Sequence, residues 1–100
     1  MQAIALKTNY AAAHGNLGIT LQALGRLEEA EISYRQAIKL KPKFSKARNN
    51  LGNTLQELGR LEEAEVSYRH AIKLKPDFAK AYSNLGNTLQ ELGRLEESEV

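Results

Sequence analysis

The chain repeats one pattern of hydrophobic and polar positions every 34 residues. Within the repeated unit, Leu17, Leu21 and Leu24 follow one another at three- and four-residue spacing, which places them on one face of a helix. A second apolar series with the same spacing runs from Leu27 to Ile38. Each unit is therefore predicted to form two helices, helix A and helix B, joined by a tight turn.

The repeat divides the chain into one domain with four parts. Residues 1–10 match the end of a preceding unit, 11–44 and 45–78 are complete units, and 79–100 is a truncated third unit. The two complete units differ at only nine of their 34 positions. Near-identical helix pairs bury their apolar faces against their neighbours, so the pattern predicts an all-α solenoid of antiparallel helix pairs.

Glycine and proline mark the predicted ends of the helices. Gly25, Gly59 and Gly93 follow helix A, where a left-handed residue closes a helix without steric cost. Pro42 and Pro76 follow helix B, and proline cannot extend the hydrogen-bond ladder of a helix. The predicted last residues of helix B are Leu40 and Leu74.

Three further glycines fall inside helix A, where glycine costs about 1 kcal/mol relative to alanine. They are Gly18, Gly52 and Gly86. We expect them to allow a close crossing of helix B, with Ala30 and Ala64 as the small partners. A phosphate-binding loop is excluded, because no strand precedes these glycines.

The second unit contains a repeated signature that consists, in order, of Leu51-Gly52, Leu55, Ala64, Tyr68, Ala71 and Pro76. This signature resembles that of the tetratricopeptide repeat family. The resemblance implies a right-handed superhelix in which A helices line a concave groove that binds an extended peptide. His14 and Arg48 depart from the family pattern, which usually has an aromatic residue there.

The differences between units cluster on helix A. Six of the nine lie there, and four of these form a stripe along one helical face. The stripe consists of Ala12, Gly15, Ile19 and Ala23, then Lys46, Asn49, Asn53 and Glu57, then Lys80, Ser83, Asn87 and Glu91. Drift of exposed positions is one explanation. However, Glu31 and Arg35 on helix B recur unchanged as Glu65 and Arg69, so we expect the stripe to face a ligand.

An asparagine recurs beside this stripe in every unit, as Asn16, Asn50 and Asn84. Asparagine is a mediocre helix former, and its amide both donates to and accepts from a peptide backbone. These residues resemble the asparagine ladder in the repeats of O-linked N-acetylglucosamine transferases, with Asn53 and Asn87 as additional rungs. The alternative is that the amides bridge neighbouring A helices.

A second binding mode of the family, the carboxylate clamp for a terminal acidic residue, is incomplete in this chain. Asn50 and Lys80 coincide with two of its positions. Gly15, Ile19 and Asn84 stand where the clamp has lysine, asparagine and arginine. Lys46 and Lys80 remain available to attract an acidic ligand.

Composition excludes several classes of function. The net charge is +2 with 26% charged residues, and the basic run 39–48 fits solvated loops better than a nucleic-acid site, since no aromatic base-stacking series accompanies it. No apolar stretch approaches the length of a membrane span. His14 and His70 occupy different repeat positions, so we expect no catalysis, no metal site and no cofactor. The absence of cysteine and of a signal peptide favours a cytoplasmic location.

The sequence therefore predicts a scaffold that binds a protein or peptide partner and is not itself an enzyme. The alternative is a substrate-presenting segment of a larger enzyme such as a glycosyltransferase. The third unit has a short helix B, so Leu85, Leu89 and Leu92 are expected to lose their cover. We expect this end to fray or to associate head to tail with a second copy.

Overall fold

The protein is a row of five α-helices. The structure, a computed structural model, describes residues 2–98, with side chains from 6 to 95. The helices are α1 (Gln2–Ala23), α2 (Leu27–Leu40), α3 (Ser45–Glu57), α4 (Leu61–Leu74) and α5 (Ala79–Ser98), and the described residues form no strand. Consecutive helices pack together, and α3 also contacts α1 and α5. The result is an elongated body of 56 × 29 × 17 Å, and the predicted all-α helical-repeat solenoid is confirmed.

The turns between helices A and B form where the glycines predict them in the two complete units. Gly25 and Gly59 have φ of 78° and 81°. The amide of Gly25 donates to the carbonyl of Gln22 at 3.0 Å, and that of Arg26 donates to Leu21 at 2.9 Å. This pair of bonds is the Schellman motif, which satisfies the last carbonyls of α1. Helices α2 and α4 end at the predicted residues before the prolines.

The prediction that Gly93 ends a helix is wrong. Helix α5 continues through Gly93 to Ser98, and Gly93 does not adopt a positive φ. In the complete units the turn is stabilised because helix B docks back onto helix A, with the rings of Tyr34 and Tyr68 over Gly18 and Gly52, whereas nothing lies within 4 Å of a Cβ built on Gly86. Without that packing, a straight helix keeps its backbone hydrogen bonds. The prediction that the end frays falls partly on residues 99–100, which lie outside the described part of the chain.

A similar continuity occurs in α1, which runs unbroken from Gln2 to Ala23. The division between 10 and 11 therefore lies inside a helix. Thr8 stands at the repeat position of Pro42 and Pro76, and threonine retains the backbone N–H that proline lacks.

Tyrosines of helix B lie over the glycines of helix A in the core. A Cβ built on Gly18 would lie 2.6 Å from Cε1 of Tyr34, and one on Gly52 would lie at the same distance from Cε1 of Tyr68. The predicted close approach is confirmed at Gly18 and Gly52, but its partner is the tyrosine ring rather than Ala30 or Ala64. The prediction is wrong at Gly86, where nothing lies within 4 Å of an added Cβ. The core cluster comprises Leu21, Ala30, Tyr34, Leu51, Leu55, Ala64, Tyr68 and Leu85.

Of the three leucines predicted to lose their cover, Leu89 is exposed and Leu92 is half-buried. Leu85 remains buried in the core cluster, so the prediction is wrong for that residue. The reason is that the core extends from α3 and α4 onto α5.

Ion pairs tie the two B helices together. Arg60, just before α4, contacts Glu31 of α2 and Glu63 of α4, each at 2.6 Å. Arg35 contacts Glu31 at 2.9 Å. Burial acts to raise the pKa of Glu31, but the hydrogen bonds from Arg60 and Arg35 outweigh it and the pKa is lowered. The Glu31 carboxylate therefore remains ionised between two units.

Candidate functional site

The helices α1, α3 and α5 form one side of the molecule, called here the A-helix face, and three clefts cross it. The first, of about 190 Å³, lies between α1 and α3. The second, of about 420 Å³, lies between the first turns of α3 and α5. The third, of about 480 Å³, is lined by residues of all three helices. The face therefore offers a series of concavities to a ligand that crosses the helices.

Nine of the eleven predicted groove residues line these clefts. Asn16, Lys46 and Asn50 line the first; Lys46, Asn49, Asn50 and Lys80 line the second; Asn53, Glu57, Asn84 and Glu91 line the third. Ser83 and Asn87 are exposed on α5 and line none of the three. The nine residues combine members of the variable stripe with the asparagines that recur in every unit.

The repeated asparagines differ in their surroundings. Asn16 is exposed and Asn50 is half-buried. Within the described residues, neither side-chain amide makes a hydrogen bond. Asn84 instead donates through Nδ2 to Oδ1 of Asn49 at 3.2 Å, and Asn49 is only 4% exposed. The amides of Asn16 and Asn50 are therefore available to a ligand, whereas Asn84 bridges α5 to α3.

Glutamines that sequence reasoning missed connect the A-helix face to the core. The Tyr34 hydroxyl donates to Oε1 of Gln22 at 2.9 Å, and Gln22 Nε2 donates to Oε1 of Glu57 at 2.7 Å. This chain of bonds runs from α2 through α1 to α3. It fixes the Glu57 carboxylate at the edge of the third cleft.

The second unit has an equivalent network. The Tyr68 hydroxyl donates to Oδ1 of Asn53 at 2.6 Å and lies 3.1 Å from Oε1 of Gln56. The buried Thr88 hydroxyl of α5 donates to the same Gln56 oxygen at 2.8 Å. The signal for these residues was present in the sequence, because glutamine recurs unchanged at 22, 56 and 90. Because this glutamine is the same in every unit, it is absent from the set of positions that differ.

The two core tyrosines remain hydroxyl donors over a wide pH range. Burial, with a smaller contribution from the negative charge of Glu57, raises the pKa of Tyr34 to about 12. The same causes raise the pKa of Tyr68 to about 12. Both networks are therefore intact at neutral pH.

Charge divides the A-helix face into two ends. Lys46 and Lys80 lie in the first turns of α3 and α5, at the second cleft. Glu57 and Glu91 lie toward the other ends of these helices, at the third cleft. The face therefore attracts acidic groups at one end and basic groups at the other.

In the described part of the chain, no cluster of histidine and carboxylate side chains is arranged to hold a metal ion. No helix among the described residues has the length and hydrophobicity to cross a membrane.

Stacked A and B helices with a row of polar clefts define an α-helical repeat protein. Within that class, three family models match the chain. Two, described as tetratricopeptide repeat, match residues 11–44 and 33–66, and one, described as TPR repeat, matches residues 52–93. The chain thus contains tetratricopeptide repeats, as the sequence signature predicted.

Solved structures share this architecture. The second TPR of Spaghetti (RPAP3), bound to the HSP90 peptide SRMEEVD, is similar with a TM-score of 0.89 and 24% identity, over 99% of this chain and 91% of that one. The first TPR of Spaghetti, bound to the same peptide, has a TM-score of 0.84 and 24% identity, over 90% and 73% of the two chains. A sequence comparison with curated proteins finds no significant match.

Proposed function

We propose that the protein is an interaction scaffold that binds an extended peptide segment of a partner protein on the A-helix face. The observation that carries the proposal is that nine of the predicted groove residues surround clefts on that one face. Support also comes from the structurally similar Spaghetti domains, each of which is bound to a peptide. The proposal includes no chemical step.

The proposed mechanism relies on rigid presentation of side-chain amides. Asn16 and Asn50 offer unoccupied donors and acceptors on adjacent A helices, and we propose that they pair with the ligand backbone as in the asparagine ladder of glycosyltransferase repeats. The hydrogen bonds of Tyr68 and Thr88 hold Asn53 and Gln56 in place before binding. Preorganisation of this kind lowers the entropy lost when the ligand binds.

The distribution of charge indicates the preferred orientation of the peptide. Acidic side chains are favoured near Lys46 and Lys80, and basic ones near Glu57 and Glu91. A carboxylate clamp is not part of the proposal, because its lysine and arginine positions are Gly15 and Asn84 in this chain.

Other expectations from the sequence stay predictions. They are the cytoplasmic location, membership in a larger enzyme and head-to-tail self-association. For the last, exposed Leu89 and Leu95 on α5 provide apolar surface at one end of the molecule.

The proposal is tested by selecting a random 12-residue peptide library on the immobilised protein and measuring the selected peptides by fluorescence anisotropy. Asn16→Ala combined with Asn50→Ala is expected to weaken binding at least fivefold, because each lost hydrogen bond contributes about 0.5 to 1.5 kcal/mol. Asn50→Ala combined with Asn84→Ala should weaken it too, with an additional loss of stability from the broken Asn49 contact.

Gln36→Ala on the exposed surface of α2 is the matched control and should leave affinity unchanged. Circular dichroism verifies that each variant is folded. The proposal fails if no peptide is enriched, or if the selected peptides bind the folded asparagine variants as tightly as the original protein.

A further inference from the structure

The nine positions at which the second unit differs from the first all line clefts. Six of them lie at the second and third clefts of the A-helix face, namely Ser45, Lys46, Asn49, Asn53, Glu57 and Asp77. The remaining three are Arg48, Val66 and His70, and they meet in a different cleft. This cleft, called here the B-helix cleft, shares no lining residue with those of the A-helix face.

The B-helix cleft lies between α2 and α4, with α3 as its floor, and has a volume of about 430 Å³. Leu51 and Leu55 form the floor and are 4% and 1% exposed. Ile38 and Val66 line the walls, and Val66 is 52% exposed. The floor is therefore closed by the core, and the aliphatic surface that a ligand side chain can cover belongs to the walls.

Cations surround this apolar floor. Arg48 is held by the loop before α3 and by α4, because Nε and Nη2 donate to the Pro42 carbonyl at 3.1 and 2.9 Å and Nη1 lies 3.2 Å from Nδ1 of His70. Lys39 lines the same cleft, and Lys73 lines a smaller one beside it, which Arg48 and His70 also line. Within residues 6–95, no carboxylate pairs with Arg48, Lys39 or Lys73.

The acidic group at the cleft does not offset this charge. Glu63 lines the cleft, but both of its carboxylate oxygens accept hydrogen bonds from Arg60, at 2.6 and 2.8 Å. Arg35, the other cation of the lining, is paired with Glu31. The charge left available to a ligand is therefore positive.

We propose that the B-helix cleft is a second binding surface, which takes an acidic peptide segment that presents an aliphatic side chain between carboxylates. The aliphatic side chain covers Ile38 and Val66, while the carboxylates reach Arg48 and the two lysines. Carboxylates spaced along a peptide match these cations, because Lys39 and Lys73 stand on different helices and line different clefts. A single anionic lipid headgroup is less able to contact both lysines at once.

Three residues of this cleft distinguish the second unit from the first. The first unit has His14, Ile32 and Gln36 at the positions of Arg48, Val66 and His70. Helix B is otherwise identical in the two units from 27 to 40 and from 61 to 74. Both differences in helix B therefore fall in this cleft, which general drift of exposed positions does not explain.

The test uses the fluorescein-labelled peptide Ac-EELEELLEELEE-NH2 and fluorescence anisotropy. Saturable binding is expected, and Lys39→Glu combined with Lys73→Glu should weaken it about tenfold or more, since opposed charges across an interface become like charges. Lys7→Glu combined with Arg94→Glu changes the net charge equally at exposed positions that line none of the clefts described above, and is the matched control, expected to stay within twofold.

The proposal is overturned by absence of saturable binding, by equal weakening in both double variants, or by unchanged affinity when the leucines of the peptide are replaced by serine. Preferential binding of phosphatidylserine vesicles, with the same dependence on Lys39 and Lys73, also overturns it in favour of a lipid site. Asn16→Ala combined with Asn50→Ala should leave binding of this peptide unchanged, so the result is independent of the function proposed for the A-helix face.

Discussion

Gly52 and Gly86 occupy the same place in successive repeats, but their surroundings differ. The Tyr68 ring lies over Gly52 and is fully buried, so it has no space to move away from an added methyl group. Nothing lies within 4 Å of a Cβ on Gly86. The same substitution at these two positions therefore has opposite consequences.

We expect Gly52→Ala to lower the free energy of unfolding, because overpacking costs about 1 to 3 kcal/mol and exceeds the gain in helix propensity of about 1 kcal/mol. Gly86→Ala should raise it by about 0.5 to 1 kcal/mol, since only the propensity gain applies. Urea denaturation of both variants measures the difference. A shift of both midpoints in the same direction would contradict the assigned role of the tyrosine ring.

The buried tyrosines predict a loss of stability at alkaline pH. Burial raises the pKa of Tyr34 and Tyr68 from 10.0 to about 12, so the folded state holds these protons more tightly than the unfolded state. Their contribution is complete below pH 10 and is lost as the pH rises to about 12. It amounts to about 2 to 3 kcal/mol per tyrosine at most, since one pKa unit corresponds to about 1.4 kcal/mol.

The check is the free energy of unfolding measured from pH 9 to pH 12. Tyr68→Phe should lower stability at neutral pH but flatten its decline above pH 10. Tyr10→Phe removes an exposed phenol and is the control, with a decline parallel to that of the original protein. An equally steep decline in Tyr68→Phe would show that the buried phenol is not responsible.

At the scale of helices, the sequence predicted boundaries well where the signal was local. Proline removes a backbone donor, so the ends of α2 and α4 were predictable from the chain alone. Glycine only permits a turn, and whether the turn forms depends on what packs against it. Gly59 turns beside a docked helix B, whereas Gly93 continues in α5, a distinction that no local pattern contains.

In the candidate site too, local pattern was predictable and contacts between helices were not. Periodicity placed the stripe on one face of helix A, because helical geometry fixes which positions share a face. It did not determine side-chain partners. The bond between Asn84 and Asn49, and those of Gln22 and Gln56 to the tyrosines, depend on distances across helices. Their discovery required the three-dimensional arrangement.

At the scale of the whole molecule, stability depends on contacts between neighbouring units. Arg60 reaches back to Glu31, whose side chain is only 13% exposed, and so joins the second unit to the first. Glu65 and Arg69 form a pair at 2.9 Å within α4 and provide an internal comparison.

A double-mutant cycle with Glu31→Gln and Arg60→Gln should give a coupling energy of about 0.5 to 1 kcal/mol, because the pair is partly shielded from water. The matching cycle at Glu65 and Arg69 should give about 0.3 to 0.5 kcal/mol. Urea denaturation at low salt and in 1 M NaCl measures both, and both energies should fall with salt. Equal coupling in the two cycles would mean that the bridge between units contributes no more than a surface pair.

The Tyr68 side chain extends from α4, and its hydroxyl contacts Asn53 and Gln56 of α3, two residues that line the A-helix face. A ligand that forms a hydrogen bond with the Asn53 side-chain carbonyl competes with the Tyr68 hydroxyl for that acceptor. Ligand binding on the A-helix face thereby alters the surroundings of a tyrosine that belongs to α4. The chain has no tryptophan, so its ultraviolet fluorescence comes from tyrosine alone. Ligand binding at Asn53 should therefore change the tyrosine fluorescence of the unlabelled protein.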